Sequence, residues 1–320
     1  MTQDPGTWPR LDYAAERSTY ETCHAILQLI GKLPTRLLPW IAHGWHVALR
    51  IEPHGYRTRP MPAKDGRTFT VELDVRDAAI VIRCSDGGHY ITGIAGKSVA
   101  EVRRDLGALL AEARLPAPLH GGPNEVPDPV PFHLDTKARD WNDDVALRLH
   151  RAFVCADRAF ARFRSLYLGK TSPSHLFWGS FDLAVTRFSG RRAPPHPGGF
   201  PALPDAVTRD AYSHEVISAG FWPGGNGVDE AAFYTYAYPS PEGLAKEPIL
   251  PAAAYWHGDL GEFVLPYAAV AGADDPDGAV MEFLQSGFDA AARLLDWPDG
   301  LEVDAVSYGV PAQQIDVPHD

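Results

Sequence analysis

Apolar residues recur at a spacing of three and four at Tyr20, Cys23, Leu27 and Ile30, just ahead of Gly31-Lys32. That spacing lines side chains along one face of an α-helix. A second stripe, Leu149, Phe153, Ala156, Phe160, Phe163 and Tyr167, runs into Leu168-Gly169-Lys170. Gly31 and Gly169 are therefore expected to be the left-handed residues that close the two helices. After each helix come a proline (Pro34, Pro173), a cluster of His and Trp, and an apolar strand, running into 55–60 (GYRTRP) and 190–195 (GRRAPP). Asp86-Gly87 and the group from Asp259 to Gly261 predict hairpin turns. Each half then closes on a helix. Ser98 with Glu101 forms a capping-box pattern ahead of Val102, Leu106 and Leu110, and Asp275-Pro276 caps a run through Val280, Phe283, Leu284 and Phe288.

The same order of features in both halves predicts an α+β fold, two pseudo-repeated helix–antiparallel sheet–helix lobes packed together, with roughly four strands apiece. The chain divides into an N-terminal arm (1–13), a first repeat (14–115), a Pro/Gly-rich linker (116–142), a second repeat (143–296) and a tail (297–320). The second repeat alone carries an insertion, 194–227, bracketed by Gly198-Gly199 and by Gly224-Gly225-Asn226-Gly227. Those glycines suit a loop, or a lid over a site. From Val303 onward periodicity is lost, and the tail is expected to be loosely attached.

With 320 residues, 45% of them hydrophobic, the chain can bury one large core or two intimate ones. A net charge of −12 argues against nucleic acid and anionic membranes as partners, since both favour basic surfaces. No apolar run approaches the roughly 20 residues of a membrane span. Cys23, Cys84 and Cys155 form no CxxC pair and are expected to be reduced and buried. The first residues, MTQDPGTWPRLD, carry no basic or apolar export segment, so the expected location is cytoplasmic.

Unusual side chains gather in the second half, where His175, Trp178, Asp182, Arg187, Arg191, Arg192, His196, His214, Glu215 and Trp222 fall close together in sequence. His43, Trp45 and His46 join them from HGWH in the first half. The runs SHLFWGSFDLAVTRFSGRRAPPHPGG, AYSHEVISAGFWPGG and AAFYTYAYPSPEG resemble those of an uncharacterised bacterial family, the domain of unknown function 5996, over nearly the whole chain. That resemblance implies no activity, cofactor or site residue, and leaves the chemistry to the residues themselves.

Imidazoles with a carboxylate suit a mononuclear metal centre, so His175, His196 and His214 are candidate ligands of a divalent Fe, Mn, Zn or Ni ion. Glu215 and Asp182 are the candidate catalytic carboxylates. His214 and Glu215 are adjacent and diverge on either a helix or a strand, so only one would hold a given ion. If 208–218 is helical, Asp210 sits one turn before His214 and orients its ring. Guanidinium forks bind carboxylate or phosphate, which makes Arg187, Arg191 and Arg192 candidates for substrate binding, with Trp178 and Trp222 as walls. Alternation from Phe233 to Tyr238 puts rings on both faces of a strand, one for the core and one for a pocket. No GxSxG elbow, Walker loop or Rossmann fingerprint is present. The ordinary alternatives are histidines hydrogen-bonded in packed loops, arginines paired with the chain's own carboxylates, and aromatics filling the core. The expectation is a metal-dependent enzyme acting on a small anionic substrate. A non-catalytic anion-binding protein and a structural clasp between the lobes are the alternatives. In the first two cases His175, His214 and the arginine turn converge on one cavity.

Overall fold

The computed structural model describes residues 8–225 and 229–303. Asn226-Gly227 of the second glycine bracket and the tail beyond Val303 lie outside the described residues.

The first half opens on helix α1 (Tyr13–Leu37), N-capped by Asp12, whose carboxylate accepts from Ala15 N–H. There follow β1 (Arg50–Glu52), β2 (Gly55–Arg57), β3 (Met61–Pro62), β4 (Thr68–Asp74), β5 (Ala79–Cys84), β6 (His89–Gly93) and helix α2 (Val99–Glu112). The second half runs through α3 (Asp143–Ser165), β7 (His175–Phe177), β8 (Asp182–Arg192), α4 (Asp205–Ala211), β9 (His214–Trp222), β10 (Ala232–Tyr238), β11 (Tyr255–His257), β12 (Glu262–Pro266), α5 (Tyr267–Ala271) and α6 (Pro276–Leu294). The capping box at Ser98 and Glu101 forms in full, and Asp275 caps α6 through Gly278 N–H at 2.9 Å. Such caps satisfy backbone donors that a helix start otherwise leaves open.

The fold is α+β, with two six-stranded antiparallel sheets. The first is ordered β1-β2-β4-β5-β6, with β3 paired to β4 off that path; the second is ordered β11-β12-β10-β9-β8-β7. A two-way backbone bridge between Leu49 and Leu176, at 2.9 and 3.1 Å, joins the β1 edge to the β7 edge. Both leucines are fully buried, so the seam closes over the core. Helices α3 and α6 cover one face of the second sheet, where Leu183, Val185, Ile217, Phe221, Phe233 and Leu265 are buried. Helix α1 packs on α2, α3 and β4 between the halves.

Helix–strands–helix order is common to both halves, but internal duplication is not confirmed. Gly31 does not end α1; the helix runs on through Pro34 to Leu37, and Gly31 lies where the Trp178 ring leaves no room for a Cβ. Gly169 lies beyond the end of α3 at Ser165, against the Tyr167 ring. The final hairpins also differ, since β5, the first strand of its pair, joins the sheet, whereas in the second half β12, the later strand, does so. Each half has six strands rather than four.

The segment expected as an insertion is partly core. Helix α4 stops at Ala211, and β9 begins at His214 as a central strand. Of the segment's described residues, those at 194–213 and 223–225 lie outside the strands. Gly190 is not a hairpin turn either. β8 continues to Arg192 with a register shift between Phe188 and Arg192, and Gly190 takes φ 90°. That is a bulge, which bends a strand without ending it.

Candidate functional site

Strand alternation gives the second sheet an apolar face toward the helices and a polar face away from them. The polar face carries Asp182, Thr186, Ser218, Gly220, Tyr234, Tyr236 and Glu262, as the pairing of Ala184 with Gly220 and of Gly220 with Tyr234 requires. A Cβ at position 220 would collide with the Tyr234 hydroxyl. Glycine there lets the ring lean across β9 so that its hydroxyl donates to the Asp182 carboxylate. Ser180 donates to the other Asp182 oxygen. Tyr236 and Tyr212 share a hydroxyl–hydroxyl bond of 2.8 Å, and Thr186 bonds Ser218 at 2.9 Å.

The wall facing this floor comes from the first half. His24, Gln28 and Lys32 follow one another at four-residue spacing and share a face of α1. The Gln28 amide donates to the carbonyls of Asn124 and Gly179 and accepts from Asn124 N–H, all within 3.0 Å. His24 reaches the carbonyls of Trp178 and Gly179. This stripe clamps the linker to the β7–β8 turn. Lys32 donates to the Asn124 side chain and stands 4.9 Å from the Trp178 ring and 5.9 Å from that of Phe132. Among the described residues no carboxylate lies within ion-pair distance of it. Glu125, held in the left-handed region at φ 57° with its N–H on Pro201 O, lies against Gly179.

In the recess between this floor and this wall, Glu125, Asp182 and Glu262 are all half-buried and strongly desolvated. Burial raises the Glu125 carboxyl to about 7, reinforced by the charge of Asp182 and opposed by Lys32. Glu262 is also raised to about 7, by burial and then by Asp182. Burial raises Asp182 as well, against the hydrogen bonds from Ser180 and Tyr234. Lys32 is lowered to about 8 by burial and Arg36, against Glu125. Two glutamates and one amine thus titrate close to neutrality beside Asp182, and protons shared among such interacting groups belong to the set rather than to one residue.

Of the residues singled out from sequence, Trp178 and Asp182 belong to this recess, and Trp222 closes β9 on the same face. The remaining candidates are dispersed. Arg187 points to the opposite face and is fully buried between the rings of Phe163 (3.5 Å) and Phe288 (4.3 Å), with one bond to Phe163 O. Arg191 binds Glu215 and the carbonyls of Leu295 and Asp296, which end α6. Arg192 is exposed opposite His214. Glu215 is held by Arg191 and by Ser189. His196 stacks on Tyr212 at 4.7 Å and accepts from Gly198 N–H. His175 is buried beside Trp45 and Phe177. His214 lies 5.9 Å from the ring of His43 and bonds Ser213.

Asp210 does not orient His214; it accepts from His43 N–H at 2.7 Å and from the Trp40 indole, tying α4 to the HGWH segment. His43 in turn meets Lys170 Nζ at 2.9 Å. Among the described residues no three His, Cys, Asp or Glu side chains are grouped so as to hold a metal ion. The arginine trio and the histidines do not converge on one cavity, because the β-pleat sends Arg187 and His175 to opposite faces. Cys23, Cys84 and Cys155 are free and buried, and no described helix is long and apolar enough to cross a membrane.

Sequence reasoning missed His24, Gln28, Lys32, Glu125 and Glu262 as site residues. The spacing on α1 was readable as a polar stripe. Glu125 had no local signal, because it sits in an irregular linker and gains its neighbours only through tertiary packing. The sequence model described as "Family of unknown function (DUF5996)" matches residues 8–303, and the chain belongs to that family. No curated protein and no solved structure matches it.

Proposed function

For this member of DUF5996 we propose that the recess is the working site of an acid–base enzyme for a small polar substrate. Glu125 and Glu262 exchange protons with the substrate, and burial together with the charge of Asp182 keeps both near neutrality. Lys32 holds an anionic group of the substrate between Trp178 and Phe132.

One observation carries this reading. Glu125 and Glu262 are half-buried, desolvated and both coupled to Asp182, and Glu125 bears on a lysine without an ion-pair partner among the described residues. Such an arrangement costs folding free energy, and clusters of perturbed groups of this kind concentrate at functional sites. A carboxyl near 7 is half protonated at neutral pH, which suits a group that must both give and take a proton. Ser180 and Tyr234 fix the Asp182 carboxylate, so the charge that tunes its neighbours does not wander.

The test is a calorimetric screen of small hydroxy, keto and amino acids near pH 7, run in buffers of different ionisation heat. The reading predicts ligands whose binding takes up or releases protons, weakens about tenfold or more in Lys32→Gln and loses its proton linkage in Glu262→Gln. Turnover of such a ligand that needs both Glu125 and Glu262 identifies a catalyst. Binding indifferent to all three substitutions contradicts the reading.

A further inference from the structure

The seam between the two sheets brings together a second group of polar side chains, from β7 and the β1 edge. The Leu49–Leu176 bridge sets Arg50 directly across from His175. Residues opposite each other in an antiparallel pair share a face, so Arg50 and His175 point the same way while Leu49 and Leu176 point into the core. Arg50 is in turn paired with Arg57 across β1 and β2, and Arg59, two residues on, returns to the same face. Arg57 is committed to Glu52. Arg50 and Arg59 form no hydrogen bond or ion pair with any described residue.

At the centre of this face His175 is 4% exposed, and its Nδ1 is buried with no hydrogen-bond partner among the described residues. Orphaned buried polar atoms of this sort are rare in folded proteins and call for a partner. The Nε of Arg164, near the end of α3, is likewise buried and unbonded. The charged groups that bear on His175 are Arg59, Arg164 and Arg50, and none is acidic. In a chain with 41 acidic and 29 basic residues, three arginines around one buried imidazole with no carboxylate among them is a pronounced local reversal of charge. Asp157 bears on Arg164 and is hydrogen-bonded to Ser174. Trp45 covers the imidazole edge-on at 5.6 Å.

We propose that this seam binds a small oxyanion of the phosphate type, with the His175 Nδ1–H and the guanidinium groups of Arg50 and Arg59 as its donors. Neutral imidazole donates from one nitrogen, and guanidinium presents paired N–H groups that match tetrahedral oxyanions. The anion supplies the acceptor that His175 lacks and the opposing charge that Arg50 and Arg59 lack. The arginines singled out from sequence, Arg187, Arg191 and Arg192, do not take part.

The test uses the full chain with nitrogen-15-labelled histidine and follows the His175 ring nitrogens while inorganic phosphate, or a simple phosphate monoester, is added. The expected result is a saturable shift of the His175 Nδ1 signal below about 10 mM for at least one of the two probes. Tighter binding of the monoester points to a ligand with an organic substituent, and equal binding to phosphate itself. Arg59→Gln and Arg50→Gln weaken the effect about tenfold or more, while Lys32→Gln leaves it unchanged. Arg50 is exposed, so its variant folds even if Arg59 proves necessary for packing. No saturable His175 shift with either probe, or a shift undiminished in Arg50→Gln, overturns the proposal.

Discussion

Glu262 illustrates what the recess costs. Its folded value of about 7 lies above the ordinary value of 4.5, so the native state holds the proton more tightly than the unfolded chain does. The stability this group contributes is complete below about pH 4.5 and is lost as pH rises through about 7. Because the side chain is half-buried, solvent screening reduces the full effect to about 1–2 kcal/mol. Glu262→Gln is therefore expected to stabilise the protein by about 1–2 kcal/mol at pH 8 and by little at pH 5, read from urea unfolding at both. Histidines run the other way. His24, lowered to about 4 by burial, favours the fold above its ordinary value of 6.5, and that favour is lost as pH falls toward 4. At position 220 an added methyl group must move the Tyr234 hydroxyl off Asp182. Gly220→Ala is expected to cost about 1–3 kcal/mol, the range for breaking a buried hydrogen bond and crowding a packed ring. Unchanged unfolding would show that Tyr234 re-seats without loss.

At the scale of elements, much of the architecture was legible in sequence because local physics sets it. The apolar stripes of α1 and α3 are buried as their spacing requires, and the Ser98–Glu101 and Asp275 caps start α2 and α6. The turns at Asp86-Gly87 and Asp259–Gly261 connect adjacent strands. The errors came where a tertiary contact overrides a local signal. Gly31 has the form of a helix terminator but serves as a flat place for Trp178. Gly190 has the form of a turn but makes a bulge, and this lets Arg191 reach the end of α6. There its guanidinium meets the carbonyls of Leu295 and Asp296, where a cation also complements the helix dipole. The side chain remains 43% exposed, so Arg191→Ala is expected to cost only about 0.5–1.5 kcal/mol. Thermal unfolding reads this directly, and a much larger loss would indicate that the contact clamps more than one helix end.

At the scale of the whole molecule, the recess exists only because both halves build it. The second half contributes the floor of Asp182, Tyr234, Tyr236 and Glu262, while α1 and the linker contribute Lys32, Asn124 and Glu125. Residues so far apart in sequence share no pattern, which is why composition drew attention to histidines and arginines instead. Those side chains turn out to fasten loops, cap α6 and fill the core, apart from exposed Arg192 and from His175 at the seam. Trp178 and Asp182, at the β7–β8 connection, and the pocket-facing rings of Tyr234 and Tyr236 were visible from both directions. The central claim is that Glu125 and Glu262 titrate together near neutrality under the charge of Asp182. Carbon-13 NMR titration of the side-chain carboxyls, in the native chain and in Asp182→Asn, tests it most directly. The account predicts two glutamates titrating near 7 in the native chain, both shifting downward once the Asp182 charge is removed. Glutamates that all titrate at about 4–5, or two near 7 that ignore Asp182→Asn, would contradict it.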